Sequence, residues 1–121
     1  FITRGELYQL PHQDILYVEK CLNNNLSYIV TKSKKYPIRQ TIQYLEGVLK
    51  NDLNFFKSHR SFIVNLLNIK NINFETGIIN FGENRQALLS RSNKKIIKEK
   101  LKAIEDIKKI NNKSSKKKIH N

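Results

Sequence analysis

Phe55-Phe56-Lys57-Ser58-His59-Arg60-Ser61-Phe62-Ile63-Val64-Asn65 is the stretch from which the rest of this chain can be read. Its aromatic and β-branched ends belong in a buried strand, yet its middle holds a lysine, a histidine, an arginine and two serines. Apolar sequence carries such a cluster where the chain turns out of a sheet and the donors emerge on a stiff mount. Arg60 is a planar fork of five donors, suited to the two major-groove acceptors of guanine. Lys57, Ser58 and Ser61 suit phosphate oxygens, which hold a protein on a duplex without reading its sequence. For His59 a structural reading stands beside the functional one: a ring donating to a backbone carbonyl at a strand end.

Strands are expected on both sides of this run. Leu7 to Leu10 is short and apolar, and Pro11-His12-Gln13-Asp14 breaks it as a turn. Ile15 to Glu19 reads as a buried strand, Leu22 to Leu26 as an asparagine loop, and Ser27 to Thr31 as the next strand. Tyr36 to Arg39 pairs back, with Pro37 marking an edge. Ile42, Leu45, Val48 and Leu49 recur at helical spacing behind a Thr41 cap, and Asn51-Asp52 end that helix. After Asn65, short alternating segments lie at Asn68 to Phe74, Ile78 to Phe81 and Gln86 to Leu89, with Gly77 and Gly82 in the turns. From Ser90 a helix follows, whose apolar stripe is Ile96, Ile97, Leu101, Ile104 and Ile107. The expected fold is mainly β: antiparallel strands in several sheets, one short inserted helix and a C-terminal helix. One domain is placed at 1–110, and the basic segment 111–121, nearly devoid of apolar residues, is expected to be disordered.

The formal charge is +13 in 121 residues, and it is uneven. Residues 1–91 hold 12 Lys and Arg against 7 acids, and residues 92–121 hold 11 against 3. This balance favours nucleic acid or an anionic surface over an acidic small substrate, although abundant Lys, Asn and Ile together also mark an AT-rich coding sequence. No apolar run approaches the ~20 residues of a membrane span, so no membrane partner is expected. The single Cys21 fits a reducing cytoplasm, with an ordinary place at a strand end. There is no Met, even at position 1, so a preceding segment is expected.

Enzymatic readings are weak. His59, His12 and a lysine could act as acid, base and phosphate stabiliser in a small basic ribonuclease, but spacing does not bring His12 to His59. No cysteine pair, His-x-x-x-His or acidic cluster offers a metal site, no glycine-rich loop offers a phosphate cradle, and no cofactor is expected. A second binding constellation is Ser90-Arg91-Ser92-Asn93-Lys94-Lys95, at the start of the last helix. Lysines there oppose the helix dipole by about 0.3–1 kcal/mol each; a phosphate at the same place reverses the sign.

Asp14-Ile15-Leu16-Tyr17-Val18-Glu19, the Phe55–Asn65 run and Leu89-Ser90-Arg91-Ser92, in that order, resemble the LytTR family of DNA-binding domains over Leu7 to Leu101. The run itself is similar to the family pattern F-x-R-x-H-R-S-x-x-V-N, with Lys57 where the family usually has Arg. The resemblance implies an elongated fold of stacked antiparallel sheets whose loops enter successive major grooves, without a recognition helix. It implies a cytoplasmic response-regulator output domain, of the type that governs quorum sensing and virulence. Such a domain binds double-stranded DNA at promoter direct repeats, as paired protomers, behind an N-terminal receiver domain. Carried onto this sequence, Arg60, Arg91 and Asn25 are expected to contact bases, and Lys57, His59, Ser61, Ser92 and Lys94 the DNA backbone. The small basic RNA-binding protein or ribonuclease using His59 stands as the alternative.

Overall fold

The computed structural model describes residues 2–3, 5–22 and 25–119, with side chains described over 5–22 and 25–111. Its strands are β1 (Ile2–Thr3), β2 (Glu6–Leu7), β3 (Ile15–Lys20), β4 (Ser27–Thr31), β5 (Lys35–Ile38), β6 (Phe55–His59), β7 (Phe62–Asn65), β8 (Asn71–Asn73), β9 (Ile78–Asn80) and β10 (Gln86–Leu88). The α-helices are α1 (Ile42–Leu49) and α2 (Lys94–Ile119).

A five-stranded antiparallel sheet ordered β5-β4-β3-β7-β6 forms the centre, with β3 in the middle. That position explains Ile15-Leu16-Tyr17-Val18, four consecutive buried residues on a strand covered on both faces. Ile15 and Val18 join Ile29, Ile38 and Ile63 beneath Ile42, Leu45 and Leu49 of α1. Leu16 and Tyr17 point the other way, to Val30, Phe62, Val64, Ile79, Ala87, Leu89 and Ile97. Ile15 and Val18 lie three apart yet share a face because the β3–β4 register shifts between Ile15 and Tyr17, and one extra residue reverses side-chain parity.

The second face is closed by the three-stranded sheet β10-β9-β8 and the first turns of α2. Ile97 is fully buried, while Leu101 and Ile104 pack against the same core. Ile96 and Ile107, expected in that stripe, are exposed instead. Lys98 and Lys100 hold their ammonium groups over the Phe74 and Phe56 rings, with Nζ 4.5 and 5.6 Å from the centroids. The helix does not stop at the expected boundary: it runs through Ile119, so the disordered segment expected from Asn111 is helical over 111–119. No proline or glycine follows Gly82, and lysine is a good helix former. Residues 120–121 lie outside the described residues. Among the described residues no helix is long and apolar enough to cross a membrane.

Candidate nucleic-acid interface

The polar centre of the Phe55–Asn65 run is a hairpin turn. β6 and β7 pair antiparallel with His59 opposite Phe62, and Arg60-Ser61 make the reversal. A register shift between Phe56 and His59 interrupts the alternation of β6, so its polar residues do not share one fate. Ser58 is fully buried and its hydroxyl donates to the Leu88 carbonyl at 2.7 Å; it is not available to a phosphate, contrary to expectation. Arg60 is exposed at the tip. The amide of Ser61 donates to His59 Nδ1 at 3.1 Å. That bond reverses the expected polarity, since the ring accepts from the backbone, and it leaves the proton of the neutral imidazole on Nε2. Asn65, also buried, donates to His12 and Ile15 carbonyls at 3.1 and 2.9 Å and fixes the far end of the hairpin.

Two backbone hydrogen bonds carry this turn into a row. The Lys20 amide donates to the Ser61 carbonyl at 2.8 Å, so the β3–β4 loop lies beside the hairpin tip. Asn25 sits in that loop, exposed, with φ of 61°. Asparagine is one of the few residues that adopt this left-handed conformation readily, while Asn23 and Asn24 lie outside the described residues. On the other side the Ser90 amide donates to the Ser58 carbonyl at 2.8 Å, so the segment after β10 extends along the edge of β6. Arg91–Asn93 then form a single 3₁₀ turn that leads into Lys94 and α2. The two constellations, about thirty residues apart in sequence, are therefore hydrogen-bonded neighbours.

Asn93 ties this junction, and sequence reading assigned it no role. Its Nδ2 donates to Ser90 Oγ at 2.8 Å and to the Ser58 and Lys57 carbonyls at 3.1 and 3.3 Å. The side chains of Arg60, Arg91, Lys94 and Lys95 take part in no hydrogen bond or ion pair among the described residues. Arg91 and Ser92 are exposed, Lys94 is half-buried, and the first turn of α2 contains no acid. Lys57 is placed differently: half-buried, with its ammonium 3.6 Å from Glu46 Oε1 on α1.

His12 and His59 do not form an acid–base pair. His12 Nδ1 lies 2.8 Å from Asp52 Oδ2, and its ring stands edge-on to Phe55, 5.4 Å between centroids. Phe55 and His59 are opposite ends of β6, separated by roughly 13 Å at the ~3.3 Å rise of a strand. Partial burial pushes the Asp52 carboxyl upward. The Asn54 amide and His12 outweigh this and hold it below the usual carboxylate value.

Comparison with known proteins bears on the family and the fold. The model of the LytTr DNA-binding domain family matches residues 5–102. Among solved structures, a LytTr DNA-binding domain from Bacillus cereus, belonging to a protein described as a methyl-accepting/DNA response regulator, superposes with a TM-score of 0.65. It is 23% identical, over 83% of this chain and 92% of the other. That likeness establishes the shared fold. No curated protein matches the chain.

Proposed function

Because this chain belongs to the LytTR family of DNA-binding domains, we propose that it binds promoter DNA sequence-specifically, as the output domain of a transcriptional response regulator. The family is one of DNA-binding regulatory domains, not of enzymes. The observation that carries the reading is the hydrogen-bonded row itself: the β3–β4 loop, the β6–β7 turn and the β10–α2 junction lie side by side through Lys20–Ser61 and Ser58–Ser90. At about 4.8 Å between neighbouring strands the row is roughly 17 Å wide. That exceeds the ~12 Å of one major groove, so the row reaches past the groove it enters to the phosphates that flank it.

In this reading Arg60 and Arg91 read bases, since both guanidinium groups are free, and Asn25 is the third base contact. His59 donates through Nε2, and Ser61, Ser92 and Lys94 hold phosphates. Lys94 does so at the start of α2, directly after the 3₁₀ turn of Arg91–Asn93. Two protomers occupy direct repeats, and an N-terminal receiver domain controls the full-length cytoplasmic protein.

Selection of bound duplexes from a random pool tests the proposal: a repeated motif should be enriched. On that motif Arg60→Ala and Arg91→Ala should each lose about 1–3 kcal/mol, and much less on random duplex. Variants that keep wild-type discrimination would show that these arginines do not read bases. An RNA-cleaving or sequence-blind wild type would overturn the function.

A further inference from the structure

From the Glu46–Lys57 contact we infer that the two residues form a charge-neutral unit beside the DNA-binding row, in which Glu46 masks Lys57 as a phosphate anchor. The inference rests on the DNA-binding reading above and concerns how much of the basic charge takes part. Lys57 lies on β6, three residues before Arg60, and its carbonyl accepts from Asn93 at 3.3 Å. Its backbone therefore lies beside the β10–α2 junction, about 10 Å along the strand from Arg60, while its side chain turns to α1. Its ammonium is 3.6 Å from Glu46 Oε1, with the lysine 28% and the glutamate 47% exposed. Arg60, Arg91, Lys94 and Lys95 have no such partner among the described residues.

An unpaired lysine that meets a phosphate releases the condensed cation and steepens the salt dependence of binding by about 0.9. Lys57 does not start unpaired. If it stays on Glu46, no phosphate is neutralised. If it swings to a phosphate, the ion pair is lost and a bare Glu46 carboxylate is left facing the same polyanion. Either way the pair adds little sequence-independent affinity. A carboxylate at this place has a use: an operator competes with a genome of random sites, and each ungated lysine strengthens those sites equally.

The test is the salt dependence of binding to a random-sequence duplex for wild type, Glu46→Gln, Lys57→Gln and the double variant, with thermal melts to establish folding. Glu46→Gln should unmask one cation, steepening the log–log slope by about 0.9 and raising affinity about eightfold at 0.1 M salt. Lys57→Gln, which leaves a bare carboxylate, should weaken binding. The double variant replaces a neutral pair by two neutral amides and should return to the wild-type slope. A wild type that binds no duplex would overturn the DNA-binding reading and this inference with it. A wild type that binds, with an unchanged slope in Glu46→Gln or a double variant flatter by about 0.9, would overturn the masking alone.

Discussion

Asn93→Ala should separate DNA affinity from fold in a way that only a positioning residue can. Its amide has two hydrogens and three acceptors, Ser90 Oγ at 2.8 Å, Ser58 O at 3.1 Å and Lys57 O at 3.3 Å, so one hydrogen is shared. Two net hydrogen bonds at about 1 kcal/mol each put the loss of stability near 2 kcal/mol. For a chain of this size that lowers Tm by roughly 8 °C, and the domain stays folded at room temperature. The larger consequence is local. Without the Asn93 side chain the Arg91–Ser92 segment keeps the Ser90–Ser58 backbone bond and the turn's own bonds from the Asn93 and Lys94 amides, but its tie to the Lys57 and Ser58 carbonyls is lost, and binding must reorder it. Fixing one backbone residue costs about 1–2 kcal/mol, so affinity for the selected operator should fall roughly 5- to 30-fold. Fluorescence anisotropy on operator and random duplexes reads this directly. A double-mutant cycle with Arg91→Ala isolates its cause. If Asn93 acts through Arg91, its effect shrinks in the Arg91→Ala background and a coupling of about 1 kcal/mol appears. Additivity within ~0.5 kcal/mol would refute the positioning argument.

Lys94→Ala should weaken operator and random duplex alike and flatten the salt slope by about 0.9; an unchanged slope removes Lys94 from the phosphate contacts. Gly77 has φ of +74°, and a Cβ there would lie 2.8 Å from the Leu89 carbonyl, so Gly77→Ala should destabilise by about 1–3 kcal/mol. An unchanged melt would show that the β8–β9 turn yields freely. Asp52→Asn should lose stability at neutral pH. The native carboxyl sits below its ordinary value of 3.8, so its contribution is present above that value and is lost as pH falls through the lower folded one. Denaturant titrations of both proteins should converge in acid; a constant gap across the whole range would contradict the linkage.

The fold was legible where hydrophobic period and a chemical stop signal coincide. Thr41 caps α1 as its sequence position requires, with its hydroxyl accepting the Tyr44 amide at 3.1 Å. Pro37 lies on β5, an edge strand of the five-stranded sheet. Legibility failed where the stop signal is missing. Arg60-Ser61 reverse the chain without a glycine or Asn-Gly pair, so the turn reads as the end of a strand. Low apolar content from Asn111 onward resembles disorder, but nothing there breaks a helix already nucleated by the packing of Ile97, Leu101 and Ile104.

The site shows a different division. Residues proposed to touch DNA are set by chemistry, and a free guanidinium at Arg60 or Arg91 announces itself by type. Residues that place them are set by geometry, which type does not reveal. Ser58 and Ser61 are the same residue three positions apart. One is sealed against the Leu88 carbonyl, and the other lends its backbone to His59 and Lys20. Only the register shift between Phe56 and His59, invisible in the sequence, accompanies that division. Charge behaves likewise. The 23 Lys and Arg point to an anionic partner, but Lys57, Lys35 and Arg85 stand within 4 Å of Glu46, Glu19 and Glu83 at 3.6, 3.4 and 3.4 Å. Counting lysines therefore overstates the charge offered to DNA. In the proposed reading the partner meets the subset left unpaired at the loop end of the sheet, brought together by the hydrogen bonds that join the loops.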